Sequence, residues 1–403
     1  MIDFQDPAFL QDPYPVLNEA RESTPAFSMT TSDDGPETWF LTRHDDVART
    51  LHDRQLGRTI EHVISREGVG LCPVPAQQSA FADLERWSML QLEPPEHTRI
   101  RRLLAHEFTP RRVSALAPHM DNIVERLLDD ADPTSFELLS DLAQPFSLLV
   151  MCELLGAPYE DQELLLGWSH AIVKMYELDT TEAQALAAER ASADFSEWTL
   201  DLISQRRAEP KDDLISGLCR SEAGGETLSD AEIVSTVVLL LNAGHEASVN
   251  TLGNGITALL RAPSEMAKLQ SGEVEWLAAS EELFRFDSPL QLFERWVLAD
   301  HYEVAGMTLP RGSKIAVLLG SANRDPRKWD RPDTFDITRG DTSHVAFGRG
   351  IHRCIGAGLA RLEVSTVLNR LVTRFPNMQL TSDPIRNQAF VIHGYKSVNL
   401  TLE

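Results

Sequence analysis

The sequence predicts a mainly α fold. Three observations carry that prediction. From Pro118 to Arg261 one stretch after another has the 3.6-residue periodicity, or the unbroken apolar run, of a packed helix. The longest pattern, Asp230 to Arg261, would make about 48 Å of helix, enough to cross a domain. Strand composition, by contrast, is confined to short runs. No Pro/Gly/Ser-rich linker, internal repeat or low-complexity tract divides the 403 residues, so a single domain spanning 1–403 is predicted.

Composition narrows the function classes. Apolar residues make up 42% of the chain, an ordinary share for a globular core. The formal net charge of −24 argues against non-specific binding to nucleic acid or to an anionic membrane. Met1 to Asp12 has neither a basic n-region nor an apolar h-region. No run reaches the ~20 uninterrupted apolar residues of a membrane-spanning helix. The four cysteines, Cys72, Cys152, Cys219 and Cys354, form no CxxC pair and no metal-type spacing. A reduced, cytoplasmic protein is the expectation.

Taken in order, Asp12-Pro13-Tyr14-Pro15 turns into a short helix from Val16 to Glu22. Thr38–Thr42 has strand composition and His44–Leu51 reads as helix. Arg58 to Ala82 lacks periodicity and holds Gly68, Gly70, Pro73 and Pro75, so a long loop is predicted. Pro94 and Pro95 then open a helix, where a missing N–H costs least. On it His97 and Arg101 stand four residues apart, so they share a face and can clamp a carboxylate. Five arginines fall between Arg99 and Arg112, a local basicity suited to docking an acidic partner. Helical patterns follow over Pro118–Asp130, Pro145–Leu155, Glu160–Met175 and Thr181–Arg206, with a short helix capped by Asp212-Asp213.

The helix of Asp230–Arg261 starts at a capping box, Ser229 with Glu232, and stops before Pro263. Ile233–Leu241 is almost wholly apolar, hence buried. In its middle stands Ala243-Gly244-His245-Glu246-Ala247-Ser248. A mid-helix glycine costs roughly 1 kcal/mol against alanine, and a carboxylate there costs more unless it has a role. Glu282 and Arg285 sit three apart on one later turn. Phe390–Gly394 reads as a strand and turn that closes a pocket, with His393 assignable either to that wall or to a surface turn.

Near the C-terminus, Phe347-Gly348-Arg349-Gly350-Ile351-His352-Arg353-Cys354-Ile355-Gly356 sets one cysteine among glycines and cations, just before a helix over Leu359–Arg374. A thiolate is a soft, strong ligand for iron and needs nearby positive charge or donors to stay deprotonated. Gly348 and Gly350 permit a tight turn that aims amide N–H groups at sulfur, and the helix N-terminus adds its dipole. Gly356 and Gly358 leave room for something flat and wide.

This stretch resembles the haem-binding loop of the cytochrome P450 monooxygenases, F-G-x-G-x-H-x-C-x-G, without a gap. The resemblance extends in order along nearly the whole chain. It implies a cytochrome P450 fold, mainly α with a small β region, with haem b between the long helix and the Cys354 loop. Cys354 would be the axial iron ligand and would favour O–O cleavage. His97, Arg101 and Arg295 would hold the haem propionates, and Phe347, Gly348, His352 and Gly356 would shape the cofactor's bed. Ala243 and Gly244 would make space for dioxygen, and Glu246 would belong to the proton relay. Phe81, Leu290, Leu292, Phe293 and Ile392 would line the substrate pocket. The Glu282/Arg285 pair would be the buried E-x-x-R behind the haem. The reaction would insert one oxygen atom from O2 into a small to medium apolar or partly oxygenated substrate, a polyketide, a terpenoid or similar. Electrons would come from NAD(P)H through a ferredoxin and its reductase, docking near Arg102, Arg111, Arg112 and Arg353.

Two positions depart from the family pattern. Where the family usually has a mid-helix threonine, this chain has Ala247, which donates no hydrogen bond; Ser248, an ordered water or a hydroxyl on an oxygenated substrate would have to compensate. Where the family often has an arginine in P-x-R-F, this chain has Thr334, leaving Arg339 and Arg331 as candidates to complete the Glu282/Arg285 network. A peroxide-using haem-thiolate enzyme and a non-catalytic haem protein that carries or senses a ligand are the alternative readings. Against the first, the position where such enzymes tend to carry an arginine is Glu246.

Overall fold

The computed structural model describes residues 2–30, 35–69, 71, 78–178, 180–223 and 225–402. It is mainly helical, as predicted. The long helix, Asp230–Leu260, starts at the predicted capping box: Ser229 Oγ accepts from the Glu232 N–H at 3.3 Å, and Glu232 Oε2 accepts from the Ser229 N–H at 2.8 Å. It is buried on nearly all sides because other helices surround it. Gln144–Leu155, Gln162–Val173, Glu182–Ala208, Trp276–Phe286 and Ala357–Arg374 all pack on it. Their apolar faces meet in one core that includes Leu142, Phe146, Val237, Leu241, Leu252, Leu283 and Leu368. Leu138–Leu155 is long and apolar enough to cross a membrane by length and composition, and 67% of it is buried in this interior.

The β region is small. Its largest sheet has five strands in the spatial order Ala26–Thr30, Glu37–Leu41, Lys314–Leu318, Leu292–Val297, Leu56–Gly57. All neighbours are antiparallel except Glu37–Leu41 with Lys314–Leu318. The register pairs Ile315 with Arg295 and Val317 with Phe293. Because side chains alternate along a strand, Phe293 and Arg295 stand on one face, and the Arg295 guanidinium lies 4.7 Å from the Phe293 ring centre.

Several boundaries differ from expectation. The helix after the prolines begins only at Glu96, with Pro95 as its N-cap. The expected loop of Arg58–Ala82 ends in a helix, Ser79–Arg86. Its first turn is fixed from outside: the Glu189 carboxylate accepts the Ala80 and Phe81 N–H groups at 2.8 and 3.0 Å. Residues 70 and 72–77 of that loop, Cys72 among them, lie outside the described residues. Phe390–Gly394 is not a regular strand; it makes one isolated bridge, Ile392 to Leu290. His393 is neither a surface residue nor part of the cavity wall. It is fully buried, its Nε2 3.8 Å from Asp287 Oδ1.

The Glu282/Arg285 pair is buried behind the cysteine loop. Arg285 Nε and Nη2 each donate to the Glu282 carboxylate at 2.7 Å, and Nη1 donates to the carbonyls of Asn323 and Pro332. Of the two candidate partners, Arg339 reaches it, with Nε 3.4 Å from Glu282 Oε1. Arg331 instead pairs with Asp330 and Asp336.

A candidate haem and substrate site

A cavity of about 650 Å3 lies between the long helix and the cysteine loop. Cys354 opens into it. The loop is closed by the Cys354 N–H donating to the Phe347 carbonyl at 2.9 Å. Gly348 and Gly350 take φ of +63° and +71°, a region L side chains rarely adopt. At Gly350 a Cβ would also come 2.5 Å from the Leu51 carbonyl oxygen, so the loop lies flat against the neighbouring helix end. Phe347 is held by the Phe284 ring at 4.7 Å and the Arg361 guanidinium at 4.5 Å. The next helix starts at Ala357, two residues earlier than the pattern suggested.

Burial pushes the Cys354 thiol pKa up, while the Gly356 N–H and the guanidinium groups of Arg101, Arg361 and Arg353 pull it down. Cys354 nonetheless faces the open cavity. A metal cation bound there would favour the thiolate, since a coordinating thiol is deprotonated outright.

Four donors from three separate stretches of the chain, His97 with Arg101, Arg295 and His352, gather at one side of the cavity. His97 sits on the buried face of Glu96–Ala105 and lies 4.5 Å, ring to ring, from His352. Neither ring nitrogen of His97 has a hydrogen-bond partner, although both are buried, and His352 Nε2 has only the Glu93 carboxylate, 3.7 Å away. Such groups call for an acceptor. Burial, with His352 and Arg101 nearby, holds the His97 pKa down at about 4. Arg295 is 2% exposed, and burial followed by repulsion from Arg58 lowers it to about 9. Arg101 and Arg295 both line the cavity. A dianionic, flat ligand with its carboxylates here would satisfy the orphaned nitrogens and the crowded guanidinium groups together. The residues present thus fit haem.

On the opposite wall the long helix presents Ala243 and Ala247, both open to the cavity. Gly244 lines the cavity beside them. A Cβ there would lie 2.6 Å from Met151 Sδ, so the glycine also lets Met151 approach the helix. Glu246 lines the cavity and is raised to about pKa 7, chiefly by burial. Its Oε1 lies 3.4 Å from His170 Nε2. Ser248 does not stand in for a threonine hydroxyl turned to the cavity centre. Its Oγ donates to Glu363 Oε2, and burial raises Glu363 to about pKa 8.

Phe81, Leu290, Leu292, Phe293 and Ile392 all line the cavity. Sequence reasoning missed four further residues. Arg58 is a buried guanidinium in the cavity wall, 4.3 Å from the Phe293 ring centre, donating to the Glu294 carbonyl at 2.9 Å. Glu85 accepts from Gln91 at 2.7 Å and Tyr176 at 2.9 Å. Glu177 accepts the N–H groups of Phe390, Val391 and Ile392, fixing the far wall. Glu363 alone left a readable sign: with Leu359 and Val367 it repeats every four residues on the apolar face of its helix.

The cationic run is largely spent on internal pairs. Arg99 pairs with Glu232, Arg102 with Glu226 at 3.0 Å and Arg112 with Glu107 at 2.8 Å. Arg111 and Arg353 are exposed.

Comparison with known proteins agrees with this geometry. The family model described as Cytochrome P450 matches residues 76–275 and 277–394. Polyketide biosynthesis cytochrome P450 PksS of Bacillus subtilis (strain 168) is 35% identical over 93% of this chain and 91% of its own length. Its solved structure superposes with a TM-score of 0.90 over all of both chains. Cytochrome P450 monooxygenase PikC of Streptomyces venezuelae is 33% identical over 93% of this chain and 87% of its own length. P450BioI, solved in complex with an acyl carrier protein bearing hexadec-9Z-enoic acid, matches with a TM-score of 0.91 and 29% identity, over 98% of this chain and 99% of its own. A cysteine loop under a cavity, donors for two carboxylates at its edge and a family match along most of the chain lead to one conclusion: this protein belongs to the cytochrome P450 family, the monooxygenases that use haem b.

Proposed function

We propose that the chain hydroxylates a medium-sized, partly oxygenated organic molecule of the polyketide type, with electrons from NAD(P)H delivered by a ferredoxin and its reductase. The observation that carries this reading is the cavity, which joins Cys354 to a largely apolar wall whose polar groups include Arg58, Glu85, Asn242, Glu246 and Glu363. Apolar walls with sparse convergent polar groups fit such substrates. The name of PksS supports the polyketide class. The acyl carrier protein in the P450BioI structure makes a carrier-tethered substrate a specific variant to test.

Haem b, when bound, supplies the iron at which dioxygen is reduced and from which one oxygen atom reaches carbon. Cys354 would hold that iron through sulfur. His97, Arg101, Arg295 and His352 would hold the two propionates. Phe347, Gly348 and Gly356 would shape the bed on the cysteine side. Ala243 and Ala247 leave the facing wall open. Glu246, poised near neutral pH, takes a proton and passes it toward the cavity. Ala247 has no hydroxyl to orient that proton, and Ser248 is engaged with Glu363, which leaves an ordered water or a hydroxyl on the substrate to complete the chain of donors; an oxygenated substrate supplies the second. Phe81, Leu290, Leu292, Phe293 and Ile392 hold the carbon skeleton and exclude water.

The test uses the haem-loaded protein with a ferredoxin, its reductase and NAD(P)H, on a panel of macrolactones and carrier-bound acyl chains chosen by substrate-induced shifts of the haem spectrum. One added oxygen per product, dependent on O2 and NAD(P)H, is the expected result. Faster turnover with peroxide alone would refute the electron supply. Cys354→Ala should abolish the red-shifted carbon monoxide band of the reduced thiolate-bound haem; its retention would refute the ligand.

A further inference from the structure

We propose that His170, His245 and Glu246 form a binding site for a divalent zinc-like cation beside the cavity, between helix Gln162–Val173 and the long helix. One ring nitrogen of each histidine and one carboxyl oxygen of Glu246 lie within 4.8 Å of one another. A tetrahedral zinc with bonds of about 2.0–2.1 Å sets its ligands about 3.4 Å apart. The His170 Nε2 to Glu246 Oε1 distance is already 3.4 Å. The remaining edges need to shorten by no more than the difference between 4.8 and 3.4 Å, within reach of side-chain rotation.

A second observation is independent of that spacing. His245 is 1% exposed and its Nδ1 is buried without a hydrogen-bond partner. A buried imidazole nitrogen left unpaired is costly, and coordination through Nδ1 would remove that cost. Both imidazoles are held in the neutral form by burial, the form that binds metal. Lys174 acts against a cation at this place, and Glu177 acts for it. Two imidazole nitrogens and one carboxylate, with a fourth position open to water, suit a borderline ion and not Mg2+ or Ca2+. His170 is 44% exposed and does not line the cavity, so the ion has a route from outside. Neither sequence spacing nor the haem site requires this juxtaposition.

The test is calorimetric titration of zinc into the tag-free, haem-loaded protein after chelator treatment. The expected result is one zinc per chain, weakened at least about tenfold in His170→Ala and in His245→Phe, since loss of even an outer-shell partner costs that much. X-ray absorption at the zinc edge should report two imidazole nitrogens and oxygen. His170 is half exposed, so His170→Ala keeps the test decisive even if His245→Phe fails to fold; haem content and far-UV circular dichroism establish folding. Zinc binding of equal strength in His170→Ala, or none in the wild type, would overturn the proposal, as would Mg2+ binding as tightly as zinc. Zinc should also slow product formation by occupying Glu246. That consequence alone rests on the proposed function, and binding measured without turnover separates the two.

Discussion

Glu246→Gln tests how this protein sets the charge of its cavity. In water a glutamate loses its proton near pH 4.5; here burial lifts that to about 7. The folded state therefore favours the neutral acid. Stability from this group is fully present below pH 4.5 and is lost as pH rises through 7. By linkage, the ionised carboxylate costs the fold about 3 kcal/mol at pH 8 and under 1 kcal/mol at pH 5, a difference of about 2.5 kcal/mol. Glutamine has the same shape and no proton to lose. Relative to wild type, Glu246→Gln should thus gain about 2.5 kcal/mol of stability between pH 5 and pH 8. For a chain of 403 residues the unfolding entropy is about 0.85 kcal/mol per kelvin, so the relative gain in Tm is about 3 °C. Thermal unfolding followed by far-UV circular dichroism at the two pH values measures it. The same variant should lose turnover at neutral pH, because it removes the proton-carrying group of the proposed function. A Tm difference between variant and wild type that does not change with pH would refute the reasoning, because burial would then not be setting the acid's charge.

Arg285→Ala leaves the buried Glu282 carboxylate with the Asp336 N–H at 2.9 Å and the more distant Arg339, and should cost about 3–5 kcal/mol; the urea midpoint and haem retention report it. Ala247→Thr adds a hydroxyl to a wall open to the cavity and should leave haem content unchanged. If it greatly improves coupling of oxygen uptake to product for a substrate without hydroxyls, the reading in which the substrate supplies the missing hydroxyl loses its motive.

The cysteine loop was legible because its parts are local. Ligand, positive-φ glycines and the start of the following helix all fall within about a dozen residues, and short-range sterics fix them. The long helix was legible for the same reason, through its capping box and unbroken apolar run. The His97/Arg101 pair needed nothing beyond the helical repeat. Other features depend on partners far along the chain. Gly244 borders the cavity, and only the fold showed that its bareness also admits Met151. Ser248 looked like a substitute hydroxyl, yet Glu363, 115 residues on, holds it. Arg339 and Arg331 were equal candidates until the fold brought one of them to Glu282.

By itself, then, the order of residues determined the cysteine loop, the helices and the pattern that marks the family, since those follow from backbone sterics and periodicity over a few turns. Only the tertiary structure decided which buried polar atoms found partners. It left His97 and His245 with unpaired nitrogens and lifted Glu246 and Glu363 toward neutral pH. Desolvation and pairing depend on what arrives from elsewhere in the chain, and no local window of sequence contains that information.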